Sequence, residues 1–233
     1  MENEGPPGTC RNVSVKSGEV CGEQLDTEGR HALTCPRCPG LKARHDEQRD
    51  LYGDFAEETG ARVRREVYVP ELSGDQEAWL DVLAYGTPDV QDLLLDVTVR
   101  HPRAARYQPN ASTVAGHTAT KAEAEKAEAY PPAGGRKVTP IAAETWGRWG
   151  AIAEATLMDL AAAAARHDRR RAREPGGRLA RWRAQLDGAL QRSVVASLFA
   201  AQFGPPGRAT RRQAAKLPLA ELEHHALEWR SAA

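Results

Sequence analysis

Two aspartates sit where the chain is otherwise apolar: Asp81 in the string WLDVL and Asp96 in LLLDVTV. A carboxylate inside a strand core is costly unless a cation pairs with it or binds it. Both lie within residues 78–102, which read as two hydrophobic strands joined by a turn. On the first strand Trp79, Asp81 and Leu83 share a face, and on the second Leu94, Asp96 and Thr98 do. Paired as a hairpin, the two carboxylates can converge on one divalent cation. Such a centre polarises a phosphate and activates water, so the expected chemistry is that of a metal-dependent nuclease. Glu66, one strand earlier, is a further carboxylate that can join the pair; beside Arg64 and Arg65 it also reads as a solvent-facing strand residue. Lys121 and Lys126 are the lysines of the stretch STVAGHTATKAEAEKAEAY that follows. A lysine near a metal-bound water can orient it or offset developing charge, and Lys126 is the candidate. Lys121 fits a surface pairing with glutamate at helical spacing.

All four cysteines, Cys10, Cys21, Cys35 and Cys38, lie towards the N-terminus, interleaved with His31 and followed by His45. The leading residues, MENEGPPGTC, lack the basic and apolar regions of a signal peptide, so a nuclear or cytoplasmic, non-secreted protein is expected. In that setting clustered Cys and His point to zinc rather than disulfides. His31 and Cys35 form H-x3-C, and Cys35 and Cys38 form C-x2-C, spacings that let one turn deliver two ligands. The expected set is Cys21, His31, Cys35 and a fourth ligand. Cys38 is favoured for that place by proximity, with Cys10 and His45 as alternatives. The segment is poor in apolar residues and needs a metal to form a core of its own.

These residues must be positioned by the elements around them. Residues 44–59 carry Leu51, Tyr52, Phe55, Ala56 and Thr59 at helical spacing, with Gly60 as a stop. Residues 61–72 alternate as a strand, and the two aspartate strands follow at hairpin distance. Residues 112–130 are helical by propensity and end at Pro131 and Pro132; residues 137–147 supply a fourth strand. The order is helix, three strands, helix, strand, an α/β arrangement with a mixed sheet.

That order resembles the PD-(D/E)XK restriction-endonuclease-like superfamily: Asp on strand two, D-x-T on strand three and Lys on the next helix. More narrowly, the chain is similar to the endonuclease region that follows the reverse transcriptase in site-specific non-LTR retrotransposons. The strings that carry the likeness are CGEQLDTEGRHALTC, ARHDEQRD, LDVTV, AEAEKAEAY and TPIAAETWGRWG, within residues 21–150. The resemblance implies a leader and zinc knuckle at 1–43, an αβββαβ nuclease core at 44–150 and a helical tail at 151–233 packed on or beside it. It implies catalytic Mg2+ at Asp81 and Asp96, with Glu66 as a third carboxylate, Lys126 as the catalytic lysine, structural Zn2+ in the knuckle, and DNA as partner (RNA being the alternative). Glu19 stands where the family often has a knuckle cysteine, and Ala-Trp-Leu-Asp replaces Pro-Asp around the first acid. Thr98 stands where the simplest pattern has its lysine, so the lysine must come from the helix. The alternative function is a catalytically inactive, zinc-containing nucleic-acid-binding remnant of the same fold.

Composition sets the outer bounds. A chain of 233 residues, 41% hydrophobic and 27% charged, can bury a core as one domain with appendages or as two small ones. No run of apolar residues is long enough to predict a membrane span, and no membrane partner is expected. The 32 basic residues balance the 32 acidic ones, so net charge does not advertise nucleic-acid binding. The distribution says more: residues 166–183 and 208–216 are basic blocks, either phosphate-binding or solvated helix faces. In the tail, Trp146, Trp149, Ile152, Leu157 and Leu160 form a seam, residues 155–171 favour helix, and residues 178–203 are amphipathic. A short last helix is expected at 217–229, with His224 and His225 on the surface.

Overall fold

The computed structural model describes residues 8–73, 77–86, 92–108, 110–168 and 175–204. The turn at 87–91, residues 169–174 and 208–216 of the basic blocks, and the helix expected at 217–229 with His224 and His225 lie outside the described residues. In chain order the elements are α1 (Arg30–Thr34), α2 (Gly40–Glu57), β1 (Arg62–Tyr68), β2 (Trp79–Tyr85), β3 (Leu93–Arg100), α3 (Asn110–Thr113), α4 (His117–Ala129), β4 (Val138–Glu144), α5 (Ala151–His167) and α6 (Pro175–Phe203). The four strands form one sheet in the order β1-β2-β3-β4, antiparallel except for the parallel pair β3–β4. The fold class is therefore α/β with a mixed sheet, as expected. A parallel neighbour needs a crossover, and α3 and α4 supply it. The described residues form two compact units, one within 1–44 and 190–233 and the other within 45–189. Among the described residues no helix is long and apolar enough to cross a membrane.

The unit 45–189 is built on strand alternation. Val82, Ala84, Leu95, Val97 and Ile141 point to one face, where they bury Tyr52 and Phe55 of α2, Leu157 and Leu160 of α5, and Trp182 and Leu186 of α6. Phe55 stacks on Trp182 with ring centroids 4.4 Å apart. Residues 151–189 thus belong to the same core as the sheet. Leu83, Leu94 and Val138 point to the other face. There Ala119 and Ala122 of α4 meet Ala142 of β4, small side chains that let the helix lie close. Within the expected seam, Leu157 and Leu160 are buried and Trp149 packs against the core, while Trp146 and Ile152 are exposed.

Two glutamates fasten the helices to this frame. Glu144, the last residue of β4, accepts the Thr118 N–H at 3.0 Å and the Ala119 N–H at 3.4 Å in the first turn of α4. Glu123 of α4 accepts the Ile152 and Ala153 N–H groups at 3.1 and 3.0 Å in the first turn of α5. Amides at a helix start have no intrahelical partner, and negative charge there is favoured by the helix dipole. The helix expected over 112–130 is broken: Gly116 takes a left-handed φ of 79°, separating α3 from α4.

In the unit 1–44 with 190–233, an irregular ribbon pairs Thr9 with Gln24 and Val13 with Val20. The Arg11 N–H donates to the Ala201 carbonyl at 2.7 Å, tying the ribbon to α6. Asp26 accepts the N–H groups of Arg30 at 2.9 Å and His31 at 2.7 Å, which starts α1 and orients His31. Burial pushes the Asp26 carboxyl up, but these amides outweigh it and hold it below the usual range.

Candidate functional site

The β2–β3 ladder runs from Ala84↔Leu93 to Val82↔Leu95. One residue on, Asp81 and Asp96 stand opposite each other. There the Asp81 carboxylate accepts the Val97 N–H, Oδ2 to N at 2.6 Å. Strand β1 registers the same break. Arg65↔Val82 and Val67↔Leu80 pair, but Glu66 between them, opposite Asp81, does not, and its φ is 52°. Leu80 packs with Leu83 and Leu94, whereas Val82 and Ala84 pack with Leu95 and Val97. Strand β2 therefore rolls over at Asp81, and the single face expected for Trp79, Asp81 and Leu83 does not run through it.

Both carboxylates are buried. Lys126 reaches from α4 to place Nζ 2.7 Å from Asp96 Oδ2, and its chain packs near Tyr130, Nζ 5.7 Å from the ring centroid. Burial pushes the Asp96 carboxyl up to about 6; Lys126 pulls it down and the neighbouring Asp81 raises it again. Burial also raises Asp81, but the hydrogen bond and charge of His45 and the Val97 N–H outweigh it, so its carboxyl lies below the usual range. His45 sets Nε2 3.2 Å from Asp81 Oδ2 and Nδ1 3.3 Å from Asp46 Oδ1. The Asp81 hydrogen bond raises the imidazole above its ordinary value, against the effect of burial.

Glu66 is not brought to the pair. Its side chain, 62% exposed, turns to Arg49, Oε1 to Nη1 at 2.6 Å. Lys121 lies over the Tyr107 ring, 5.8 Å from its centroid. Three described arginines of the first basic block pair with carboxylates of their own unit. Arg178 and Arg181 each come within 2.8 Å of Glu58, and Arg183 within 2.6 Å of Glu154. The sequence leaves this block open between phosphate binding and a solvated helix face, and these three arginines pair with carboxylates near the surface.

The cysteine segment forms a second cluster. Cys10, Cys21, His31 and Cys35 bring their ligand atoms within 4.8 Å of one another and could bind a metal such as zinc. Cys10 and Cys35 sulfurs are 3.8 Å apart, and Cys21 Sγ is 3.4 Å from His31 Nε2. Tetrahedral zinc with Zn–S of about 2.3 Å and Zn–N of about 2.0 Å sets such edges at about 3.8 and 3.5 Å. The fourth member is Cys10, not the favoured Cys38. The ribbon explains it: Cys10 N–H donates to the Glu23 carbonyl at 2.7 Å, and Gly22 N–H to the Cys10 carbonyl at 2.9 Å, which lays Cys10 beside Cys21. Cys38 is buried in the same apolar cluster but outside the group. His45, the other alternative, is turned to Asp81 and Asp46.

Sequence reasoning missed His45 as a partner of Asp81, and Glu123 and Glu144 as helix anchors. The string RHD at the head of a helix carries no signal that its imidazole meets a strand carboxylate. No protein-family model matches the chain, and no curated protein matches it.

Proposed function

We propose that the chain is a metal-dependent endonuclease of the PD-(D/E)XK type that hydrolyses DNA phosphodiester bonds. Its relatives in this reading are the endonuclease domains of site-specific non-LTR retrotransposons, and its knuckle binds structural zinc. One observation carries the reading. Asp81 and Asp96 face each other where the β2–β3 ladder ends, and Lys126 from the following helix stands 2.7 Å from Asp96. The succession of α2, β1 to β3, α4 and β4 supports it, because Lys126 supplies the cation that Thr98 does not.

The donor set suits a hard cation. Mg2+ binds through one or two carboxylates and takes its remaining ligands from water and substrate phosphate. Asp96, lifted by burial and by its neighbour, marks negative charge that a dication would relieve. Asp81 and Asp96 would hold the ion, which supplies Lewis-acid polarisation of the phosphate and a more acidic water. Lys126 places an ammonium beside the phosphate to offset charge that develops in the transition state. The Val97 N–H keeps Asp81 pointed at Asp96. In the other unit, three thiols and an imidazole are the soft donors that select zinc over magnesium.

The test is nicking of supercoiled plasmid in Mg2+ or Mn2+. Wild type should nick, Asp96→Ala should fall to background, and Lys126→Ala should lose about 100- to 1000-fold, the range for removing one charge-stabilising donor. Nicking unchanged in Asp96→Ala would rule the site out. Metal-independent DNA binding without cleavage by wild type would favour the inactive remnant.

A further inference from the structure

We infer that His45 is a positioning residue that fixes the Asp81 carboxylate for its cation, and that Asp46 and Arg49 hold His45 to the task. This rests on the endonuclease reading. The Oδ2 atom of Asp81 is held twice, by the Val97 N–H at 2.6 Å and by His45 Nε2 at 3.2 Å. Two donors on one oxygen fix the plane and rotation of the carboxylate and leave its other oxygen for the ion. A carboxylate is an acceptor only, so the ring donates from Nε2.

The imidazole is itself braced. Its Nδ1 lies 3.3 Å from Asp46 Oδ1, and the same oxygen lies 3.3 Å from Arg49 Nη1. Arg49, only 11% exposed, also reaches Asp50 at 2.9 Å and Glu66 at 2.6 Å. A continuous line of contacts thus runs from β1 through α2 to Asp81. It meets β2 where that strand rolls over, at the carboxylate that also faces Asp96. Partners of this kind orient metal ligands, and losing one typically weakens metal affinity by about 10- to 100-fold.

The test uses the full chain, loaded with one equivalent of zinc so that the cysteine cluster is filled, and titrated with Mn2+ by electron paramagnetic resonance. His45→Ala should raise the Mn2+ Kd by about 10- to 100-fold. His45→Gln, which keeps a side-chain N–H, should recover most of it, and plasmid nicking by His45→Ala should recover at saturating Mn2+. A purely structural role would not show that rescue. If His45→Ala lacks a native circular dichroism spectrum, Asp46→Ala carries the test and should weaken Mn2+ binding in the same direction. Wild-type Mn2+ affinity in these variants, with affinity lost in Asp96→Asn, would overturn the inference and leave the endonuclease reading standing. Mn2+ binding indifferent to Asp96→Asn would remove the site itself, and the inference with it.

Discussion

A buried thiol keeps its proton until a metal displaces it. Burial pushes the Cys10 thiol up to about 12, with Cys35 alongside adding to the effect. Metal binding replaces that proton, so the free energy of ligation is free energy of folding for the segment. Cys10→Ser should therefore lower zinc content sharply, while Cys38→Ser should leave about one zinc per chain by elemental analysis. The reverse ranking would restore Cys38 to the cluster. Three of the four clustered residues are legible in the sequence because His31, Cys35 and Cys21 share short, local spacings. Cys10 is less legible because its approach depends on a ribbon with two isolated bridges and no alternation to announce it. Glu66 shows the limit from the other side. Nothing in the alternation of RVRREVYV signals a left-handed residue, yet its φ is 52°. That conformation costs a non-glycine residue about 1–2 kcal/mol, more than the roughly 0–1 kcal/mol its exposed pair with Arg49 is worth. Glu66→Gly should raise stability in urea by up to about 1 kcal/mol. A clear loss would mean that Arg49 depends on Glu66 more than the backbone resents it.

At the scale of elements, what the sequence conveyed was periodicity. The alternating runs became β1 to β4 and the helical runs became α2, α5 and α6, with ends shifted by a few residues. What it could not convey were non-local approaches. Glu123 and Glu144 read as ordinary residues of a helix and a strand end, but each caps a helix distant in sequence. The string TWGRWG hides the reason for its last glycine. Gly150 has an ordinary φ of −71°, yet a Cβ there would lie 2.1 Å from Glu123 Oε1. It is glycine because the carboxylate needs the space to reach the first amides of α5. Gly150→Ala should push Glu123 off those amides and cost about 1–3 kcal/mol, the range for leaving a buried hydrogen-bonding group unsatisfied. Glu123→Gln keeps an acceptor oxygen and should cost less, about 1 kcal/mol. Denaturant titration of both variants decides it; the opposite ranking would mean that the α5 amides do not depend on the carboxylate.

Over the whole molecule, the two units rest on different kinds of core. Residues 45–189 bury Tyr52, Phe55, Leu95, Ile141, Leu160, Trp182 and Leu186, large side chains whose burial contributes about 1.5–3 kcal/mol each. The core of the other unit is Cys10, Ala32, Cys35, Cys38 and Ala201, with Cys21, Leu25, Leu41 and Leu198 packed against it. Alanine and cysteine bury little apolar area, so that cluster cannot hold the 8–35 segment ordered by packing alone. Most of its remaining cohesion is backbone hydrogen bonding within the ribbon, which is weak where regular pairing is sparse. Removing the metal should therefore act on one unit. In hydrogen exchange with a strong zinc chelator, the amides of Cys10, Cys21, Gly22 and Leu25 should lose protection, whereas those of β2, β3 and β4 should keep theirs. The pattern follows from which core contains the ligands, so it distinguishes a structural metal from a spectator. Unchanged protection in the 8–35 segment would mean that the cluster holds together without an ion. Equal loss in β2 to β4 would mean that the large core does not stand by itself.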